Sequence, residues 1–121
     1  MITIYQIQMT NSEVDAFNAG QTIEKIDVKR KLMFGAKKFD PSMLKHFDAV
    51  YEVETNDLEK AFEITNLWEN GHLVRALPGT RGHSSSVGDI FRKGDGFYMV
   101  DSWGFTPLAL FNDEVELMDA E

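Results

Sequence analysis

The stretch Phe47-Asp48-Ala49-Val50-Tyr51-Glu52-Val53-Glu54, read with the residues that follow it, decides the fold class. Phe47, Ala49, Tyr51 and Val53 alternate with Asp48, Val50, Glu52 and Glu54, the period-two pattern of a strand with one solvated face. Thr55, Asn56 and Asp57 then offer side-chain oxygens to cap a helix. Leu58, Ala61, Phe62 and Thr65 follow at i, i+3, i+4 and i+7, so the spacing predicts a helix over 57–67. A strand that runs directly into an amphipathic helix needs further strands beside it to bury both.

Those strands lie on either side in the chain. Ile2 to Met9 is β-rich and alternating, with Ile2 and Ile4 opposed to Tyr5 and Ile7 across the pleat. Thr10 followed three residues later by Glu13 is a capping-box pattern, and Gly20 is a natural stop, which predicts a short helix over 12–19. Residues 21–39 fit two periods: Ile23, Ile26, Leu32 and Met33 lie on one helical face, while Ile26, Val28, Arg30 and Leu32 share one face of a strand. Asp40-Pro41 opens a turn of helix over 41–46. Gly71 ends the helical region, and Pro78 to Ser84 reads as loop. Val87–Arg92, the turn Lys93-Gly94-Asp95-Gly96 and Phe97–Ser102 form a hairpin. Pro107 cannot donate a ladder hydrogen bond, so a strand there belongs at a sheet edge. Helices and strands do not alternate regularly. The expectation is therefore an α+β domain over 1–121, a small antiparallel or mixed sheet with two or three short helices packed on one face.

Composition narrows the chemistry. The chain has 121 residues, 12 Lys and Arg against 20 Asp and Glu, and a net charge of −8. That balance speaks against a protein that coats duplex DNA electrostatically. The charge is segmented, however: residues 25–45 carry +5, residues 46–70 carry −6 and residues 94–121 carry −7. There is no cysteine, which excludes disulfides, zinc–thiolate sites, iron–sulfur clusters and thiol nucleophiles. No apolar run approaches the roughly 20 residues that span a bilayer, and Met1–Tyr5 lacks the basic and apolar regions of a signal peptide, so a cytoplasmic setting is expected.

Few residues carry chemistry by their spacing. The histidines, His46, His72 and His83, form no i, i+4 pair, and no metal or cofactor is expected. Ser84, Ser85 and Ser86 follow His83, but adjacency alone does not orient a nucleophile and its base. Their simplest use is to bond loop backbone. The glycine-punctuated run Gly79–Ser86, with Arg81, has the makings of an anion-binding nest. Asp89, Asp95 and Asp101 are the carboxylates a hydrolase or nuclease would draw on. Such an enzyme would need His83, Asp89 and Asp101 to converge in a cleft. Lys25, Lys29, Arg30, Lys31, Lys37 and Lys38, interleaved with Phe34 and Phe39, are the candidate single-strand nucleic-acid segment. The acidic groups Asp48, Glu52, Glu54, Asp57, Glu59 and Glu63, and then Asp113, Glu114, Glu116 and Asp119, are what a DNA-mimicking surface would use. Trp68, Trp103, Phe105 and Phe111 belong in the core unless one of them is exposed, in which case it marks a contact.

One resemblance places the chain in a biological setting. Ser84-Ser85-Ser86-Val87-Gly88-Asp89-Ile90-Phe91, followed by Gly96-Phe97-Tyr98-Met99-Val100-Asp101-Ser102-Trp103-Gly104-Phe105, resembles the end of YodL-like domains. These carry a serine-rich run ending in Val-[Ser or Gly]-Asp, a short turn, and a Val-Asp-Ser-x-Gly-Phe element. Gly88 and Trp103 stand where members tend to have Ser and a smaller residue. The resemblance implies a bacteriophage or mobile-element protein in a bacterial cytoplasm and brings no catalytic role with it. The leading expectation is a non-enzymatic accessory protein that binds a host or element-encoded protein, in one version as an acidic inhibitor or DNA mimic. Its binding residues would be Arg81, His83, Ser84, Ser85, Ser86, Asp89, Asp101 and Trp103. The alternative is a single-strand nucleic-acid protein using residues 25–39, and a small hydrolase or nuclease comes last.

Overall fold

The computed structural model describes residues 1–34 and 39–108, and for residues 68–70 it describes the backbone. Six strands form one antiparallel sheet: β1 (Ile2–Ile7), β2 (Phe47–Val53), β3 (Val74–Ala76), β4 (Ile90–Lys93), β5 (Gly96–Val100) and β6 (Phe105–Leu108). Their order is β3-β2-β1-β4-β5-β6, so the first strand of the chain lies inside the sheet. The helices are α1 (Asn11–Asn18), α2 (Glu24–Met33) and α3 (Leu58–Asn66), with 3₁₀ turns at Pro41–His46 and Trp68–Leu73. The α+β class and the antiparallel sheet are as the sequence predicts.

The packing differs from expectation in one respect. The helices cover both faces of the sheet rather than one. On the first face Tyr5, Ile7, Ile90, Phe97 and Met99 pack with Val28 and Leu32 of α2 and Leu44 of the first 3₁₀ turn. On the second, Ile2, Ile4, Phe91 and Val100 pack with Ala61 and Ile64 of α3. The cause sits in β2. Ile4 pairs with Tyr51 but Tyr5 pairs with Ala49, so Val50 is an inserted bulge residue. A bulge exchanges the faces of everything beyond it. Phe47 and Ala49 therefore join the first core and Tyr51 and Val53 the second, although simple alternation puts all four on one side. Val50, expected on the solvated face, is fully buried.

Local signals explain the remaining elements. Thr10 accepts from the Glu13 N–H and the Glu13 carboxylate accepts from the Thr10 N–H, closing the capping box of α1. The two-period segment resolves as helix, because Val28 and Leu32 at i, i+4 face the core. Asp57 caps α3 by accepting from the Lys60 N–H. Pro107 lies in β6, the edge strand its missing N–H demands. The short strand β3 is not foreseen. Lys37, Lys38, Phe111 and the acidic group Asp113–Asp119 lie outside the described residues, as does the side chain of Trp68. Among the described residues, no helix is long and apolar enough to cross a membrane.

Candidate functional site

The serine-rich motif is anchored by a residue that sequence reasoning passes over. Gln6 is fully buried in the inner strand β1, on the face that carries Ile2 and Ile4. A buried amide must find partners. Its Oε1 accepts the His83 N–H at 2.9 Å, and its Nε2 donates to the His83 carbonyl at 2.8 Å and to Asp89 Oδ2 at 3.0 Å. Gln6 thus holds the loop as another strand would. The signal was present in the sequence: Gln6 has the parity of Ile2 and Ile4, so it is a polar residue on an apolar face.

Asp89, only 4% exposed, completes the lock. Its Oδ2 also accepts the Ser86 N–H at 3.0 Å, and its own N–H donates to the Ser86 carbonyl. These bonds close the turn Ser86-Val87-Gly88-Asp89, with Gly88 at φ +96°, the sign a type II turn requires at that position. Burial pushes the Asp89 carboxyl up to about 6. The Ser86 N–H, the His83 and Lys29 charges and the Gln6 amide oppose that rise without cancelling it. Ser85 is buried and its hydroxyl lies 2.6 Å from Thr65 Oγ1 on α3, whereas Ser84 and Ser86 are exposed. The run therefore docks the loop onto α3 through its middle serine.

The enzyme trio does not assemble. The Gln6 Nε2 donates to both the His83 carbonyl and Asp89 Oδ2, so what it ties to Asp89 is the His83 backbone, while the His83 ring is exposed with its Nδ1 2.7 Å from the Ser84 carbonyl. Asp101 is engaged elsewhere, accepting from the Ser102 N–H and the Thr106 hydroxyl, both at 2.8 Å. Those bonds stiffen a hairpin tip. Asp101 N–H donates to the Gly104 carbonyl, Gly104 sits at φ +78°, and Phe105 turns inward against Phe91 with ring centroids 5.3 Å apart. Trp103 is left at the apex, 96% exposed. Of the two places the sequence leaves open for Trp103, the core or an exposed contact, the structure rules out the core: the two-residue tip gives its ring nothing to pack on. Asp95 lies in the Gly94–Asp95 turn, and among the described residues no group of His, Asp and Glu is placed to hold a metal.

The basic segment is also dispersed. Lys25 pairs with Glu13 at 3.2 Å, Arg30 lies over the Phe17 ring, Lys31 is exposed, and Phe39 packs against the first core while Phe34 stays 80% exposed. Of the acidic groups on β2 and α3, Glu52 pairs with Arg75 across β2 and β3, and Asp57 is spent as a cap.

Two cavities flank the locked loop. One, of about 480 Å³, lies against Tyr51, Ile64 and Asn66. The Tyr51 ring lies over Gly82, where an added Cβ would meet it at 2.5 Å, so only glycine admits that contact. Burial, with Asp89 adding to it, raises the Tyr51 hydroxyl above its ordinary range. The other, of about 520 Å³, lies between the end of β1, α2 and the loop, and includes Arg81 and His83. No protein-family model matches this chain, and neither curated proteins nor solved structures give a match.

Proposed function

We propose that this protein is a non-enzymatic binding module that docks a partner protein through the Ser102–Trp103 hairpin tip. The observation that carries the reading is Trp103, 96% exposed at a tip stiffened by Asp101. A large aromatic held out on a pre-ordered turn loses little entropy on binding, and tryptophan is among the residues that dominate interface energies. The serine-rich motif supports this end indirectly: the Gly88 N–H donates to the Val100 carbonyl, and the Val100 N–H donates to the Asp89 carbonyl, where β5 enters the tip. On this reading the motif is mainly a folding signature, and the contact it presents is the tryptophan. The phage or mobile-element setting rests on the YodL-like resemblance. An acidic inhibitor or DNA-mimicking mode is the more specific version, with the carboxylates of β2 and α3 as its surface.

The test is recovery of partners from a bacterial lysate, with and without nuclease, by wild type and Trp103→Ser. Removing an exposed side chain should change stability by no more than about 0.5 kcal/mol, so fold is not the confounder. A protein kept by wild type after nuclease and lost with the variant supports the docking role. Equal recovery by both removes Trp103 from it. Recovery that vanishes with nuclease moves the function to nucleic acid.

A further inference from the structure

The cavity between the end of β1, α2 and the loop before His83 is cationic in a chain of net charge −8. Lys25, Lys29, Arg81 and His83 line it against one carboxylate, Asp48. Lys25 is already neutralised by Glu13. Lys29 and Arg81 form no ion pair among the described residues: the Lys29 charge is felt by the Asp89 carboxyl, but that carboxyl is hydrogen-bonded to Gln6 and Ser86 rather than to the lysine. Among the described residues, two cations without an ion-pair partner around one hollow are a feature that surface solvation alone does not require. Gln8 lines the same hollow, and its side-chain Nε2 has no hydrogen-bond partner.

We propose that this cleft binds a small phosphate-bearing ligand, held between the Arg81 guanidinium and the Lys29 ammonium. The planar fork of arginine matches two phosphate oxygens, and lysine adds a point charge. A phosphomonoester carries about two negative charges near neutral pH, the number that Lys29 and Arg81 together would offset. The volume, about 520 Å³, falls within the range of small-molecule sites. The frame is built to hold position. Lys25 and Lys29 are one turn apart on α2, and Arg81 sits between Thr80, whose hydroxyl donates to the Leu77 carbonyl, and the Gln6-bonded backbone of His83. This site is separate from the Trp103 tip and does not depend on the docking proposal.

The experiment is an amide chemical-shift titration of the full chain with adenosine monophosphate, adenosine, inorganic phosphate and a short oligothymidylate. Adenosine monophosphate should give saturable shifts at Gln8 and Thr80–His83, and adenosine should not. Lys29→Gln and Arg81→Gln should each weaken binding about tenfold, the loss expected for one charge-assisted hydrogen bond, while their spectra stay those of the folded protein. Lys93→Gln, outside the cleft, should bind as wild type. Inorganic phosphate binding as well as the nucleotide assigns the site to free phosphate, and a tighter nucleotide assigns it to an ester; both support the proposal. Absence of saturable shifts with either overturns it, as does wild-type binding by both cleft variants. Binding of oligothymidylate without the mononucleotide also overturns it and makes the face a strand-binding one.

Discussion

At the scale of single residues, the Gln6–Asp89 lock has opposite consequences for its two partners. Gln6 satisfies a loop N–H, a loop carbonyl and a carboxylate at once. Gln6→Ala should therefore cost about 3 kcal/mol, because it leaves buried groups unpaired as well as removing bonds; urea unfolding at neutral pH measures this. Asp89 behaves differently because its carboxyl is raised, from 3.8 when unperturbed to about 6 in the fold. Between those values the native state holds a proton that the unfolded chain has lost. Stability from this group is thus greatest below about pH 4 and falls as pH rises to about 6, by about 3 kcal/mol in all. Asp89→Asn resembles the protonated form and lacks the titration. The stability of the variant relative to wild type should rise across that window and then level off. Glu13 and Asp40, lowered by their bonds to the Thr10 and Ser42 N–H groups, pull the other way, but both persist in the variant and cancel in the difference. A flat difference from pH 4 to 7 would show that Asp89 is not held protonated by burial.

At the scale of elements, the turn Ser86–Asp89 is where sequence and backbone agree most tightly. Gly88 combines φ +96° with a Leu32 Cβ only 3.3 Å from where its own Cβ would stand. Gly88→Ala should destabilise by about 1–2 kcal/mol or more, since strain and crowding act together; the urea midpoint should drop with no change in the slope of the transition. The elements that were legible are those with local chemistry: the Thr10–Glu13 box, the Asp57 cap, the Gly94–Asp95 turn and the edge-marking Pro107. Those that were not depend on distant partners. Val74-Arg75-Ala76 is too short to show a period, and it becomes β3 only because β2 lies beside it. The bulge at Val50 shows in the sequence only as one valine among the acidic residues of the expected solvated face, which does not reveal a register shift, so simple alternation puts Tyr51 and Val53 on the wrong face. The same limit hides the site. Arg81, His83 and the serines are visible as loop residues, while the bond of His83 to Gln6 that holds the loop spans 77 positions of sequence.

For the whole molecule, the two cores raise the question of whether they unfold together. Each has its own helix, α2 on one face and α3 on the other, and the two sets of core residues do not overlap. What joins them is the sheet itself. β1 contributes Tyr5 and Ile7 to the first core and Ile2 and Ile4 to the second, and β4 divides in the same way through Ile90 and Phe91. Losing either core strips one face of β1 and β4, and a sheet exposed on one apolar face does not hold the other in register. The two cores should therefore form one cooperative unit. Leu32→Ala in the first core and Ile64→Ala in the second should each cost about 2–5 kcal/mol, the range for large-to-small changes at buried sites. Both residues are 3% exposed or less. The discriminating readout is amide exchange rather than the size of the loss. If the sheet couples the cores, Leu32→Ala lowers protection in α3 as much as in α2, and Ile64→Ala does the converse. Loss confined to the mutated side would mean that β1 and β4 stand without one of their covers, and that the faces fold as separate layers.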